Sequence, residues 1–311
     1  MKTAVLIPCC NEAMTIGKVV QDFRRELPDA TVWVYDNNST DGSTEIAARS
    51  GAIVRLVPQQ GKGFVVRRMF REVEADVYVM VDGDDTYPAE DVHKLIAPIA
   101  AGGVDMVNGD RLSSTYAEEN KRFGHGFGNA LVCALIRFLW RRRVRDVMTG
   151  YRAFSRFFVK TCPVLSNGFE VETEMTIHTI DKRMSLVEVP VQYRDRQKGS
   201  MSKLNTVSDG IKVIRTVSSL FRLYRPQCFY SAVGLLFGLA GLAMFSSVFA
   251  EYIETGLVPR QPTLIVSVLF FIVAILSWMC GLILGAIKRQ LDQVFELMAL
   301  SRPGPAPGCG A

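Results

Sequence analysis

Histidine is scarce, at three residues in 311, and the seven cysteines (9, 10, 133, 162, 228, 280 and 309) include no C-x-x-C pair. None has a histidine at ligand spacing, which argues against zinc. A reduced cytosolic compartment explains the thiols better than disulfides do. No G-x-G-x-x-G follows the first apolar stretch, and Gly61-Lys62-Gly63 lacks both the earlier glycine and the following Ser or Thr of a P-loop. Dinucleotide-binding and P-loop NTPase classes therefore lose their main support. Arginine-rich stretches occur without any RNA- or DNA-binding motif, so nucleic acid is not an expected partner. Charge is missing altogether from residues 227–250 and 262–287.

What is present divides in two. Apolar residues make up 49% and charged residues 22%, which excludes a disordered chain. Beyond residue 226 the acidic and basic side chains balance, so the net charge of +5 lies in the first 226 residues. Each uncharged run exceeds the roughly 20 residues a bilayer crossing needs. Two spanning helices, 227–250 and 262–287, are expected. Arg222 and Arg225 precede the first, Lys288 and Arg289 follow the second, and the linker 251–260 is short and slightly acidic. The positive-inside rule then puts the domain 1–203, both flanks and both termini on the cytoplasmic side of the inner membrane. The tail 288–311 is expected to end in a disordered Pro- and Gly-rich stretch. At the start, the apolar run 3–10 gives way at once to Asn11 and Glu12, unlike a signal peptide.

In the first domain strands are expected over 4–8, 31–35, 52–56, 77–81 and 105–108, with helices over 15–27, 44–49, 64–73 and 89–100. The alternation predicts an α/β fold with a Rossmann-like, mostly parallel sheet covered on both faces. Polar residues cluster just after the strands: Asn11 and Glu12, then 36–41, 61–63, 82–85, and Asp110 with Arg111. In an open α/β sheet those carboxyl ends form the ligand crevice. Turn-forming residues explain one such loop, but not five beside lysines and arginines. Asp82, Asp84 and Asp85 would repel one another without a cation. Hard oxygen ligands at this density suit Mg²⁺ or Mn²⁺ sharing its shell with substrate phosphates.

Four segments carry a resemblance: IPCCNE (7–12), YDNNSTDGS (35–43), GKG (61–63) and VDGDD (81–85). They resemble the inverting glycosyltransferases of family 2, with the GT-A fold. TGYRAFSR (149–156) and RQKGSMSKL (196–204) narrow this to the polyprenyl-phosphate glycosyltransferases, the group that includes dolichol-phosphate mannose synthase. The resemblance runs in order from about residue 2 to 204, and a two-helix membrane hairpin also occurs in that family.

The resemblance implies roles position by position. Pro8, Asn11 and Glu12 would line the nucleotide pocket, Asp36 would meet the base or ribose, and Asp41 would shape that loop. Lys62 and Arg67 would face the nucleotide. Asp82 and Asp84 would hold Mg²⁺ or Mn²⁺ on the diphosphate, with water or Thr86 completing the shell. Arg111 would meet the lipid phosphate, with Lys121 and His125 placed for the same task. Arg196, Ser202 and Lys203 lie in a loop that in the family closes over the phosphates. Asp146 and Arg152 flank the Thr149–Gly150 turn near the reaction centre. Glu170, Glu172 and Glu174 would share a face in strand geometry, with Glu172 orienting sugar or acceptor.

The implied reaction moves a hexose-type sugar from a UDP- or GDP-linked donor to a polyprenyl phosphate. A phosphate monoester, with its second pKa near 6, is already anionic and needs no general base. Residues 204–226 (Val207, Ile211, Ile214, Val217, Leu220, Phe221, Tyr224) predict an amphipathic interfacial helix. Residues 129–145, apolar and then arginine-rich, predict a second surface-lying helix. Gly234-x-x-x-Gly238 and Gly281-x-x-x-Gly285 would let the spans pack closely, or support a homo-oligomer. Two alternatives stand beside this reading. A processive polysaccharide synthase would need a QxxRW motif and more spans, and the chain has neither. A non-catalytic membrane scaffold would not need the Asp82–Asp84 pair.

Overall fold

The computed structural model describes residues 1–112, 125–168, 170–194 and 218–300, with backbone alone for 125–128. They fall into two compact units, one up to residue 194 and one from residue 218.

The first unit is built on β1 (Thr3–Cys9), β2 (Thr31–Asp36), β3 (Ile53–Leu56), β4 (Val77–Met80), β5 (Met106–Asp110), β6 (Arg152–Ser155) and β7 (Leu186–Pro190). Their order in the sheet is β3-β2-β1-β4-β6-β5-β7. All pairings are parallel except those of β6, which runs antiparallel between β4 and β5. The helices α1 (Ile16–Glu26), α2 (Ser43–Arg49), α3 (Lys62–Glu72) and α4 (Val92–Ala100) alternate with β1 to β5. After them come α5 (His125–Trp140), α6 (Arg156–Thr161) and α7 (Val171–Asp181).

Side chains alternate across the sheet and so feed two cores. Val5 and Ile7 join Phe23, Val34 and Val79 on one face. Ala4 and Leu6 join Tyr35, Met69, Tyr78 and Phe154 on the other. Both faces are covered, so β4 is buried at every position. In α1 the buried Ile16, Val19, Val20 and Phe23 fall at helical spacing.

Register fixes where the loops meet. Arg152 pairs with Met80 of β4 and with Asn108 of β5. Because β6 is antiparallel, its entry loop, 146–151, sits at the carboxyl ends of β4 and β5. The sheet is mostly parallel, as expected, with one reversed strand inserted between β4 and β5.

Two expectations are corrected here. Glu170, Glu172 and Glu174 lie on no strand: Glu170 immediately precedes α7, and the other two lie in its first turn. Residues 129–145 are not one helix. α5 ends at Trp140, and Arg141 takes a left-handed φ of 55°. Val132 and Ile136 are buried. Asn129 donates to the Arg145 carbonyl at 3.1 Å and accepts from Val147 N–H at 3.0 Å, tying α5 to the 145–147 loop. Phe138 remains 80% exposed.

The second unit is a helix pair, α8 (Pro226–Thr255) and α9 (Gln261–Leu300), preceded by a helical stretch over 218–224. Both helices are long and apolar enough to cross a membrane. Leu235, Leu236, Ile265 and Trp278 are among many exposed apolar side chains, which suit lipid and not water. Close approach is made at Gly234, where an added Cβ would lie 2.9 Å from the Ala274 carbonyl oxygen, and at Gly241, Gly281 and Gly285. Gly238, expected to pair with Gly234 in the seam, makes only ordinary contact; Gly241, one heptad from Gly234, makes the close approach instead. α9 also runs on through Lys288 and Arg289 to Leu300, supported by a Lys288–Asp292 ion pair at 2.8 Å. The rest of the expected interfacial segment, 204–217, and the tail 301–311 lie outside the described residues.

Candidate active site

The carboxyl ends of β1 and β2 are laced together. Asn11, at φ 55°, donates its backbone N–H to Ser39 Oγ at 2.8 Å and accepts from Thr40 N–H at 2.8 Å. Asp41 accepts from Ala13 N–H at 3.0 Å and from Ser43 Oγ at 2.5 Å. Burial alone would raise the Asp41 pKa, but these hydrogen bonds outweigh it and hold the carboxylate below its usual range. Glu12 donates its backbone N–H to Ser43 Oγ at 2.9 Å, and its carbonyl starts α1. Pro8 stands in register with Tyr35, one residue before Asp36. Asp36 is buried: one oxygen accepts from Ser39 N–H at 3.0 Å, and the other has no partner among the described residues. A buried carboxylate oxygen without a donor is costly and suits a ligand hydroxyl or N–H.

Asn37 brings in the third loop. Its amide donates to the Val57 and Gln59 carbonyls and accepts from Gly61 N–H at 2.7 Å. The glycines of the GKG motif serve chain approach. A Cβ at Gly61 would lie 2.2 Å from the Asn167 carbonyl oxygen, and one at Gly63 would lie 2.0 Å from that of Ser166. Arg67, expected to face the nucleotide, instead clamps the same segment. Its guanidinium donates to the carbonyls of Val164 at 2.7 Å and Leu165 at 2.9 Å.

The acidic loop follows β4. Lys62 Nζ stands 2.5 Å from Asp82 Oδ1 and 2.5 Å from Glu172 Oε1. Burial would lower the Lys62 pKa, but the two carboxylates hold it above its usual value, so the ammonium is permanent. Asp84 is buried and accepts from Thr86 Oγ1 at 2.7 Å. Asp85 does not join them. At φ 58° it turns away to Lys18 Nζ at 2.6 Å, which removes one charge from the expected cluster of three. Gly150 abuts Asp82 so closely that a Cβ there would lie 2.0 Å from Oδ2.

The 146–151 loop also organises the next group. Buried Asp146 accepts from Arg111 Nε at 2.6 Å and from Nη2 at 2.9 Å, a fork that fixes the guanidinium. Arg111 also lies over the Tyr193 ring, 5.3 Å from its centroid. Arg152 is fully buried and donates to the carbonyls of Thr149 and Val147 and to Thr176 Oγ1. Burial pushes its pKa down to about 10, and it stays charged at neutral pH. These bonds make it a buttress for the 146–151 turn. Tyr87, a site residue that no sequence motif singles out, accepts from Gly150 N–H at 3.0 Å and packs on Tyr193 at 5.1 Å. Only its position five residues past Asp82, in a loop, could have drawn attention. Glu174 accepts from Leu165 and Ser166 N–H, and so holds the segment that Arg67 clamps.

Lys121, Arg196, Ser202 and Lys203 lie outside the described residues, as does the side chain of His125. Among the described residues no group of three His, Cys, Asp or Glu could hold a metal alone. Asp82 and Asp84, one residue apart in the loop after β4, offer two carboxylates to a hard divalent ion that takes its other ligands from phosphate oxygens or water.

A sheet of this topology, with acidic and basic groups at its carboxyl edge, defines a GT-A glycosyltransferase fold. The chain belongs to glycosyl transferase family 2, whose description residues 4–162 match. It is 30% identical to the glycosyltransferase AglJ of Haloferax volcanii, over 94% of this chain and 97% of that one. It is also 30% identical to a dolichyl-phosphate hexose transferase of the same organism, over 69% of this chain and 91% of that one. Among solved structures it resembles glucosyl-3-phosphoglycerate synthase of Mycobacterium tuberculosis in complex with Mn²⁺, UDP-glucose and glycerol 3-phosphate. That likeness has a TM-score of 0.57 at 23% identity, over 71% of this chain and 79% of that one, and it concerns the fold.

Proposed function

We propose that this enzyme transfers a hexose-type sugar from a UDP- or GDP-linked donor to a polyprenyl phosphate at the cytoplasmic membrane face, with inversion at the anomeric carbon. One observation carries the reading. A single loop, 146–151, touches both halves of the site: Gly150 abuts Asp82, and Asp146 holds Arg111. A relative named dolichyl-phosphate hexose transferase supports a lipid phosphate as acceptor. The two apolar helices support work at a bilayer.

In this reading Asp82 and Asp84 hold Mg²⁺ or Mn²⁺. When bound, the ion stabilises charge developing on the departing diphosphate. Asp36 offers its unpartnered oxygen to the nucleoside. Arg111, locked by Asp146 and Tyr193, presents a fixed positive charge to the acceptor phosphate, so little reorganisation is needed during reaction. The phosphate is ionised at neutral pH, so no side chain has to remove a proton from it. Glu172, already bound to Lys62, is a positioning residue and not a base.

The test uses membranes containing the protein, radiolabelled UDP- and GDP-hexoses, and added polyprenyl phosphate. Label is expected in the organic phase with Mn²⁺ and is lost with chelator. Label that stays aqueous under every donor would overturn the proposal.

A further inference from the structure

The place of Lys62 raises a problem that the reaction does not explain. Asp82 is one of two proposed metal ligands, yet its Oδ1 already has an ammonium 2.5 Å away. That ammonium is not a surface cation passing by. The Lys62 side chain is 9% exposed, and its second partner, Glu172, is 5% exposed. A divalent ion arriving alone at Asp82 would meet a fixed positive charge in the same place, in surroundings where charges are poorly screened.

The two carboxylates that share Lys62 differ in what they can do. Glu172 belongs to the buried first turn of α7 and cannot follow a departing partner. Its second oxygen is buried without a partner among the described residues, so the grip of Lys62 is its main compensation. Asp82 is more open, at 28% of its side chain. Lys62 itself is the first residue of α3, on a four-carbon stem between Gly61 and Gly63. A short swing can therefore take the ammonium off Asp82 while Glu172 keeps hold of it.

We propose that Lys62 is the resident counter-ion of Asp82 in the nucleotide-free protein. Moving its ammonium from Asp82 to an incoming nucleoside diphosphate then makes metal and nucleotide binding depend on each other. This rests on the reading of Asp82 as a metal ligand for a nucleotide-sugar donor. The diphosphate draws the ammonium away, the vacated carboxylate accepts the divalent ion, and Glu172 limits how far Lys62 travels. By linkage, the factor by which nucleotide tightens metal binding equals the factor by which metal tightens nucleotide binding.

The test measures Mn²⁺ affinity by electron paramagnetic resonance on the full chain in micelles, alone and with saturating UDP or GDP. In the wild type the nucleotide that binds should tighten Mn²⁺ by about tenfold or more, within the usual range of coupling between sites. Lys62→Met should bind Mn²⁺ severalfold tighter than wild type without nucleotide, and the coupling should fall severalfold below that of the wild type, to the part that diphosphate oxygens supply as metal ligands. Glu172→Gln should do the opposite in the nucleotide-free protein, because Lys62 then loses the Glu172 carboxylate and its attraction to Asp82 is no longer shared with it. Opposite signs separate the device from general damage, which would weaken binding in both. The double variant Lys62→Met/Glu172→Gln does not leave Glu172 as a buried carboxylate without its ammonium, and should repeat the reduced coupling of the single Lys62 change. If a nucleotide binds but the coupling in Lys62→Met equals that of wild type, the device is wrong and the proposed function survives. If neither nucleotide binds the wild type with Mn²⁺, the functional reading fails and takes the device with it.

Discussion

An added methyl group would lie 2.0 Å from Asp82 Oδ2 at Gly150, and 2.0 Å from the Ser166 carbonyl oxygen at Gly63. The distances match but the consequences differ, because one neighbour is the end of a side chain and the other is backbone. Gly150→Ala should leave the fold intact and push Asp82 aside. Its thermal midpoint should stay close to wild type while transfer falls by about 100-fold, comparable to losing one well-placed electrostatic group. Gly63→Ala should instead cost roughly 1–3 kcal/mol of stability, as overpacking against an immovable neighbour does. Calorimetry and initial rates on the two proteins decide the matter; a Gly150→Ala enzyme with normal turnover would contradict the role given to Asp82.

At this scale the placement of the candidate residues was legible. Asn11, Asp36, Asp41, Lys62, Asp82, Asp84 and Arg111 do converge on one sheet edge, as clusters after strands should. What could not be read was which polar groups are consumed internally. Arg67 looks like a free cation in the sequence, but its guanidinium closes on backbone carbonyls almost a hundred residues further along the chain. Asp85 looks like a third ligand, but a left-handed backbone turns it to Lys18.

Elements show the same division. The first five strands announce themselves as apolar runs between turns. β6 does not, because it is short and begins with a buried arginine, and nothing local marks it as antiparallel. α7 misleads for a different reason. Val171 to Thr179 are all buried, so the helix has no polar face and no amphipathic period, while its alternating glutamates imitate a strand. Burial of that helix makes a pH prediction. His178 is pushed down to about 4 by burial, helped by Lys182 and opposed by Asp181. The unfolded chain, with an ordinary histidine, then binds more protons than the folded one between about pH 4 and 6.5. This histidine's contribution to stability is therefore lost as pH falls through that window, by about 1.5 kcal/mol between pH 6.5 and 5. His178→Phe, which keeps a ring against Phe158, should flatten that part of the pH–stability curve in thermal unfolding. An unchanged slope would mean that His178 titrates normally.

The whole molecule joins two kinds of chemistry in one chain. Its first unit has the buried, two-faced sheet of a soluble enzyme, and its second has helices whose exposed surface is apolar. A sugar acceptor dissolved in water gives no reason for that second unit, whereas an isoprenoid tail does. The phosphate of such a lipid is charged and its chain is not, so the acceptor needs both a cationic site and a bilayer. In the proposed function the aspartate pair after β4 holds the metal on the donor's diphosphate while the arginine after β5 meets the lipid phosphate. Mass spectrometry of the lipid extract tests this most directly, using the full chain with a nucleotide hexose, polyprenyl phosphate and Mn²⁺. The wild type should yield a lipid heavier by one hexose and joined through a single phosphate. Asp84→Asn should reduce it by about 100-fold or more, as removing a metal-holding charge does. A glycosylated lipid formed equally well by Asp84→Asn, or a diphosphate-linked product, would contradict it.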